Sequence, residues 1–329
     1  MPNIPHILVA RAVFPAVIAA LEQHFQVQHN QADEVWTPEQ FMSKLQGKQG
    51  VFTTSGERID AAVLAACPDL KICANMAVGF NNFDIPAMTA AGVLATNTPE
   101  VLTESTADFG FALLMATARR IAEAERFLRA GSWSRWSHDL LAGADIHGAT
   151  LGILGMGRIG QGIARRGALG FGMKVVYHNR SQLDAAAEQH CQARYVSKEE
   201  LLQTADHLVL VLPYSPQSHH AIGKAELAQM KPSATLINIA RGGIVDDAAL
   251  AEALRNKTIA AAGLDVYEGE PHVHPDLLSL PNMVLTPHIA SASMPTRMAM
   301  AQLAADNLIG YLIHHKPLTP LNPEVLRAA

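Results

Sequence analysis

The chain is short of basic residues: Lys and Arg total 25 against 30 Asp and Glu, a net charge of -5. A weakly acidic surface offers no electrostatic footprint for nucleic acid or an anionic membrane. Aromatic residues are 5% of the chain, too sparse for the stacking platforms that bind single strands. The only cysteines are Cys67, Cys73 and Cys191. They are too few for a disulfide framework, and an odd count suits a reducing compartment. No Cys-x-x-Cys occurs and the Cys67–Cys73 spacing is not that of a zinc pair, so no metal is expected. Long hydrophobic runs are also missing. The longest apolar stretch, Phe109 to Ala118, has ten residues. At ~1.5 Å per residue it falls well short of a bilayer core of roughly 30 Å. The start, MPNIPHILVAR, carries no basic leader and only four consecutive apolar residues, Ile7 to Ala10. This reading expects no signal peptide and a cytoplasmic protein. What the chain does have is core-forming material, with 49% hydrophobic and 17% charged residues in 329. That excludes an intrinsically disordered chain and favours two domains.

Short apolar runs recur with amphipathic segments between them. HILVA (6–10), FQVQH (25–29), GVFTT (50–54), KICAN (71–75) and GVLAT (92–96) form a first series. ATLGILG (149–155), MKVVYHN (173–179), DHLVLVLP (206–213), ATLINIA (234–240), AAGLDVY (261–267) and MVLTPH (283–288) form a second. Strands alternating with helices imply α/β folding around parallel sheets. Nearly continuous apolar runs fit strands covered on both faces. Six strand candidates in the second series match a dinucleotide-binding sheet. Between the series, residues 103–130 read as one long helix, with Thr103 as N-cap and Gly131 as stop. The loop after it carries Trp133 and Trp136. A last amphipathic helix runs from Met294 to His315, ahead of Pro317.

The segment LGILGMGRIGQGIARR (151–166) sets Gly155, Gly157 and Gly160 in a G-x-G-x-x-G directly after a strand and opening a helix. The first glycine permits the tight turn, the second lets the backbone approach a pyrophosphate, and the third allows close helix–strand packing. The helix N-terminus adds free N–H groups and a positive dipole end. The residue that reads the ribose belongs roughly 20 residues further on. Asn179 stands nineteen residues after Gly160 and is followed by Arg180 and Ser181. An acid there would repel a 2′-phosphate. Neutral donors and a guanidinium suit one, and Arg158 within the loop can also reach phosphates. The expectation is NADP(H) preferred, with NAD(H) possible.

Ligands on open parallel sheets bind beyond the carboxyl ends of the strands. Three late strands end in polar residues: Arg241 after TLINIA, Glu268 and Glu270 after AAGLDVY, and His288 after MVLTP. Arginine holds a carboxylate and polarises an adjacent carbonyl. Histidine gives or takes a proton near neutrality, and a carboxylate on its other nitrogen fixes the tautomer. Glu270 is given that role. Asp265 either contacts a nicotinamide amide or caps a turn. His219–His220 and His314–His315 read as loop or surface pairs.

These residues together resemble a known family. GMGRIG, INIARGGIVDDAAL, AAGLDVYEGEP and LTPHIASAS are similar, in order, to the signatures of the D-isomer-specific 2-hydroxyacid dehydrogenases, and the likeness covers nearly the whole chain. Within the family, TPEVLTESTADFGFALLMATARR (98–120) and the Asn-Arg-Ser turn resemble the glyoxylate/hydroxypyruvate and 2-ketogluconate reductases. The resemblance implies that Arg241, Glu270 and His288 are catalytic. It implies substrate contacts at the backbone of Val78 and Gly79 and at Arg297. It further implies cofactor contacts along the loop (Gly155, Met156, Gly157, Arg158, Ile159, Gly160) and at Thr106, Pro213, Ile239 and Asp265.

The fold it implies is two Rossmann-like, doubly wound parallel-sheet domains with the active site in a cleft between them. Residues 1–98 and 292–329 would form a discontinuous substrate domain around a nucleotide domain at 99–291. A homodimer would form through about 103–147, with Trp133 or Trp136 entering the neighbouring pocket or serving as interface packing. Two departures stand out. Asn81 replaces the family's usual aspartate in VGFDN, and Ala290 stands where glycine is common. The implied activity is NAD(P)H-dependent reduction of glyoxylate, hydroxypyruvate or 2-ketogluconate, with His288 as acid/base. Two rival expectations are a corepressor-like nucleotide sensor on the same scaffold and a dehydrogenase of another substrate such as formate.

Overall fold

A computed structural model describes residues 4–327. The chain divides into two compact units. One runs to Leu102 and resumes at Ser293; the other is Thr103–Ala292.

The first unit is built on five parallel strands: β1 His6–Val9, β2 Gln26–His29, β3 Gly50–Thr53, β4 Ile72–Asn75 and β5 Leu94–Thr96. Their order is β2-β1-β3-β4-β5. Side chains alternate between the two faces, as a period of two requires. Ile7, Val9, Phe52, Ile72 and Ala74 fill one core, while Leu8, Val51 and Cys73 fill the other. The C-terminal helix Met294–Leu312 covers the first face through Ala301, Ala304, Ala305 and Leu308. Small residues let it sit close. A Cβ on Gly50 would lie 3.0 Å from the Leu308 side chain.

The second unit has seven parallel strands: β6 Thr150–Leu154, β7 Lys174–His178, β8 Ala193–Tyr195, β9 His207–Leu210, β10 Thr235–Asn238, β11 Ala261–Leu264 and β12 Met283–Leu285. The order β12-β11-β10-β9-β6-β7-β8 reverses between β6 and β9, which is the switch point of a doubly wound sheet. The sequence reading found six of these strands. It missed β8, whose three residues Ala-Arg-Tyr present no apolar run. Leu208 and Leu210 point into one core and Val209 into the other. The helix Thr103–Ala118 packs on the sheet at glycine contacts from both sides. A Cβ on Gly110 would lie 2.7 Å from Ile239 Cδ1, and one on Gly263 would lie 2.4 Å from Thr117 Oγ1.

Residues 103–130 are not one helix. The first helix ends at Ala118 and a second runs Ile121–Arg129, with Arg120 at φ 54 between them. The returning chain forces the break. Ala144 N–H donates to the Ala118 carbonyl at 2.9 Å, and Gly143 lies so close that a Cβ would sit 2.2 Å from that oxygen. The Arg120 guanidinium then holds Glu123 through two nitrogens at 2.8 and 2.9 Å. Thr103 is the first residue of the helix rather than its cap. The C-terminal helix stops at Leu312, short of His315. Among the described residues, no helix is long and apolar enough to cross a membrane. The three cysteines are free and buried.

Candidate active site

The glycine loop divides its work among three positions. Gly155 has φ 103, and a Cβ there would lie 2.7 Å from Leu212 N, so any side chain is excluded twice over. A Cβ on Gly160 would lie 2.4 Å from the Gly155 carbonyl, so helix and turn are in contact. Gly157 is the N-cap of the helix Arg158–Arg165, makes no side-chain capping bond, and has nothing within 4 Å of the place its Cβ would take. Open space over uncapped helix amides is what a pyrophosphate requires. The Thr106 hydroxyl is buried without a hydrogen-bond partner among the described residues. Both observations fit a dinucleotide held by this unit.

Other loop residues do more structural work than the sequence suggested. The Met156 side chain is fully buried in the core. Its N–H donates to Asn179 Oδ1 at 2.6 Å, and the Tyr195 hydroxyl donates to the Asn179 carbonyl at 3.0 Å. Asn179 therefore grips the glycine loop from the end of β7. Arg158, Arg180 and Ser181 are exposed, and Ile159 is partly buried against the core. The Ile239 side chain belongs to the core, while Pro213 is exposed beyond β9.

Beyond β10, Asn238 shapes the turn that delivers Arg241. Its Oδ1 accepts from Ala240 N–H at 3.0 Å and its Nδ2 donates to the Arg241 carbonyl at 3.2 Å. Asn238 was missed in the sequence; its one signal was a lone amide closing an apolar strand. A Cβ on Gly242 would lie 1.7 Å from the Tyr267 carbonyl, so this turn lies directly against the turn that follows β11. One Arg241 Nη donates to the Ala240 carbonyl at 2.7 Å. Burial pulls the guanidinium's pKa down, and the nearby Glu270 charge opposes that shift. An arginine stays ionised under such a shift.

Glu270 and His288 form a pair. His288 Nδ1 lies 2.8 Å from Glu270 Oε2, and Glu270 Oε1 accepts from Tyr267 N–H at 2.9 Å. Burial pushes the Glu270 carboxyl up, but the bond to His288, its charge, the Tyr267 amide and Arg241 together hold it below its ordinary value. An ionised carboxylate accepts a hydrogen bond, so Nδ1 carries the proton and Nε2 is left to exchange one.

His288 has φ 53, a left-handed conformation uncommon for a non-glycine residue. Asp265 holds it there. The Asp265 carbonyl accepts from His288 N–H at 2.9 Å. One carboxylate oxygen accepts from Thr286 Oγ1 at 2.7 Å and Ile289 N–H at 2.9 Å, the other from Ala290 N–H at 2.8 Å. Asp265 is fully buried, and burial raises its pKa against these three bonds. Of the two roles open to Asp265 in the sequence, the turn cap is the one these bonds display. The buried Tyr267 hydroxyl bonds the carbonyls of Leu264 and Thr286, joining the ends of β11 and β12. A cavity of about 330 Å³ beside the pair is lined by Tyr267, Glu270, Val273 and His288, among others. Arg241 does not line it.

In the other unit, Val78 and Gly79 lie in the loop after β4. Their carbonyls are taken by Asn97 Nδ2 at 2.8 Å and Asn75 Nδ2 at 3.1 Å. Asn82 Nδ2 ties the same loop to the carbonyls of Thr54 and Glu57. Neighbouring Asn81 is exposed. Arg297 is in the first turn of the C-terminal helix, half-buried, its N–H on the Ser293 carbonyl.

A family model described as D-isomer specific 2-hydroxyacid dehydrogenase, NAD binding domain, matches residues 111–290. The chain is 45% identical over 326 residues to a protein named glyoxylate reductase from Thermococcus onnurineus (strain NA1), covering 98% of this chain and 97% of that one. Among solved structures, the NADPH-dependent glyoxylate/hydroxypyruvate reductase of Sinorhizobium meliloti, in complex with NADP and malonate, matches with a TM-score of 0.86 at 36% identity, covering 97% of each chain. The TT0316 protein of Thermus thermophilus matches with a TM-score of 0.89 at 40% identity, covering 96% of this chain and 99% of that one.

Proposed function

Because the chain belongs to the D-isomer specific 2-hydroxyacid dehydrogenase family, we propose that it is an NADPH-preferring reductase of small 2-keto acids, glyoxylate and hydroxypyruvate foremost. The observation that carries the chemistry is the 2.8 Å bond between Glu270 and His288, beside the turn of Arg241. A nicotinamide cofactor supplies the hydride when bound. The residues proposed to hold it are the glycine loop, Thr106, Asn179, Arg180 and Ser181, with Pro213 and Ile239 as further contacts. The buried Asp265 carboxylate is taken by the segment that carries His288.

Reduction needs two other things from the protein. Arg241 orients the keto acid through its carboxylate and withdraws charge from the carbonyl oxygen. His288 delivers the proton from Nε2 to that oxygen, and ionised Glu270 stabilises the imidazolium it starts from. In the opposite direction the same nitrogen removes the hydroxyl proton of a D-2-hydroxy acid. Substrate contacts are proposed at the Val78 and Gly79 amides and at Arg297. The unit Thr103–Ala292 is the nucleotide domain in this reading and the other unit the substrate domain. Kinship to named reductases and the intact Arg241–Glu270–His288 set favour an enzyme over a nucleotide sensor. The test is oxidation of NADPH and NADH by the purified protein with glyoxylate, hydroxypyruvate and 2-ketogluconate in parallel. Nucleotide binding without turnover of any acid would overturn the enzyme reading.

The cofactor preference rests chiefly on Arg180; Asn179 gives its Oδ1 to the glycine loop, and its Nδ2 is a second proposed donor. Arg180→Ala is expected to lower kcat/KM for NADPH by about 10- to 100-fold, as for loss of a charge-assisted bond, and to leave NADH nearly unchanged. Equal losses with both cofactors would remove Arg180 from the 2′-phosphate site.

We place the protein in the cytoplasm as a homodimer through about 103–147. Ile121, Leu128, Trp133, Trp136 and Leu140 are exposed along that segment, an apolar surface that a partner would cover. Sedimentation equilibrium is expected to give twice the chain mass, and Leu128→Glu to shift it toward one. A parent protein that sediments as a single chain would refute the dimer.

A further inference from the structure

We infer that His219, His220 and Glu268 form a binding site for one divalent transition-metal ion of the zinc, cobalt or nickel type, separate from Arg241, Glu270 and His288. Their ligand atoms lie within 4.8 Å of one another. Bonds of about 2.0–2.1 Å in a tetrahedron place neighbouring ligand atoms roughly 3.3 Å apart. Small rotations of the exposed His219 and Glu268 side chains close that difference. Two imidazoles and one carboxylate select borderline metals over calcium or magnesium, which take oxygen ligands.

The surroundings hold the three side chains in place. The two imidazoles stack with centroids 3.9 Å apart. His219 Nδ1 is 3.2 Å from the Tyr214 hydroxyl. His220 Nε2 is 2.9 Å from Glu268 Oε2, and its Nδ1 faces Asp246 at 3.8 Å.

The backbones are tied as well. His220, at φ 49, donates its N–H to the Gly243 carbonyl at 2.7 Å. Glu268 N–H donates to Asp247 Oδ2 at 3.2 Å. Gly243 forms the floor: a Cβ there would come within 3.1 Å of the Tyr214 ring and 3.4 Å of His219 Nδ1. Three carboxylates, from Asp246, Asp247 and Glu268, make the locality attractive to a cation. An ion here would clip the loop after Pro213 to the turn that continues to Glu270. Its effect would be to stabilise the nucleotide-binding unit. This inference does not depend on the substrate or cofactor proposed above.

The experiment titrates the metal-free protein with Zn²⁺ against a chromophoric chelator and records thermal unfolding with and without Zn²⁺. Saturation at one ion per chain and a higher Tm with zinc are expected, because a ligand that binds only the folded state stabilises it. His219→Ala and Glu268→Gln are expected to lose both effects while keeping the metal-free Tm of the parent. Co²⁺ should give the intense visible bands of a four-coordinate site in the parent and not in the variants. The cysteines are buried and offer no competing thiolate. Absence of saturable binding would overturn the site. So would equal binding by parent and both variants, or a zinc ion lost on His288→Asn and retained in His219→Ala.

Discussion

Replacing His288 with asparagine is expected to lower kcat for keto-acid reduction by about 10²–10⁴-fold, the range for loss of a general acid. The dissociation constant for NADPH should move by less than about twofold, because the side chain acts in the chemical step. Asparagine is the better probe than alanine. His288 sits at φ 53, a conformation asparagine tolerates, and the backbone bonds to Asp265 then survive. A variant that loses cofactor affinity and kcat in equal measure would sink the acid–base role.

Glu270→Gln separates orientation from charge in the same pair. It is expected to lower kcat by less than His288→Asn does, since an amide oxygen can still accept from Nδ1. It also changes the response of stability to acid. The folded-state pKa of Glu270 is depressed. The stability it contributes is complete above its unfolded-state value and lost as pH falls through the lower folded value. Tm measured across the acidic range should decline less steeply through that window in the glutamine variant. Identical acid limbs would show that the pair does not stabilise the fold.

The second large effect is expected at Arg241. Arg241→Lys keeps the positive charge and removes the planar fork. A lysine cannot hold a carboxylate through two parallel bonds while polarising the neighbouring carbonyl. We expect kcat/KM for the keto acid to fall by about 10²–10³-fold, comparable to loss of a transition-state donor, with KM for NADPH nearly unchanged. Steady-state kinetics with each substrate varied in turn make the measurement. A loss below about tenfold would mean that charge alone suffices and that the fork has no role. The fold should survive, because Asn238 and Gly242 hold the backbone of this turn whatever the side chain at 241.

Asp265 links these two expectations. It lies at the end of a core strand, and its carboxylate is spent on the segment that carries His288. Ala290, which departs from the family's usual glycine, is buried and gives its N–H to Asp265. The extra methyl is therefore accommodated without disturbing the bond that fixes the loop.

Much of this protein could be read from its sequence because the deciding signals are local. Gly155, Gly157 and Gly160 announce a strand–turn–helix through spacing alone, and the structure has Gly155 in a tight positive-φ turn, Gly160 packed against it and open space over Gly157. Apolar runs that alternate with amphipathic segments announce parallel sheets, since only strands covered on both faces avoid polar positions. Arg241, Glu270 and His288 stood out because each lies at or within three residues of the end of such a run, where a parallel sheet presents its ligand-binding edge.

Other features depend on contacts between residues far apart in the chain. The helix after Thr103 breaks at Arg120 because the backbone near Gly143 returns to take the Ala118 carbonyl. Asn179, read as a 2′-phosphate contact, also takes the Met156 amide, 23 residues earlier, through its Oδ1. His220 looked like half of a surface pair and is found on Glu268, 48 residues away. Composition and spacing decide which segments become strands and helices. Which polar side chain meets which is decided by the register and turns of the folded sheet, because a hydrogen bond needs its partner within about 3 Å and spacing along the chain does not specify that distance.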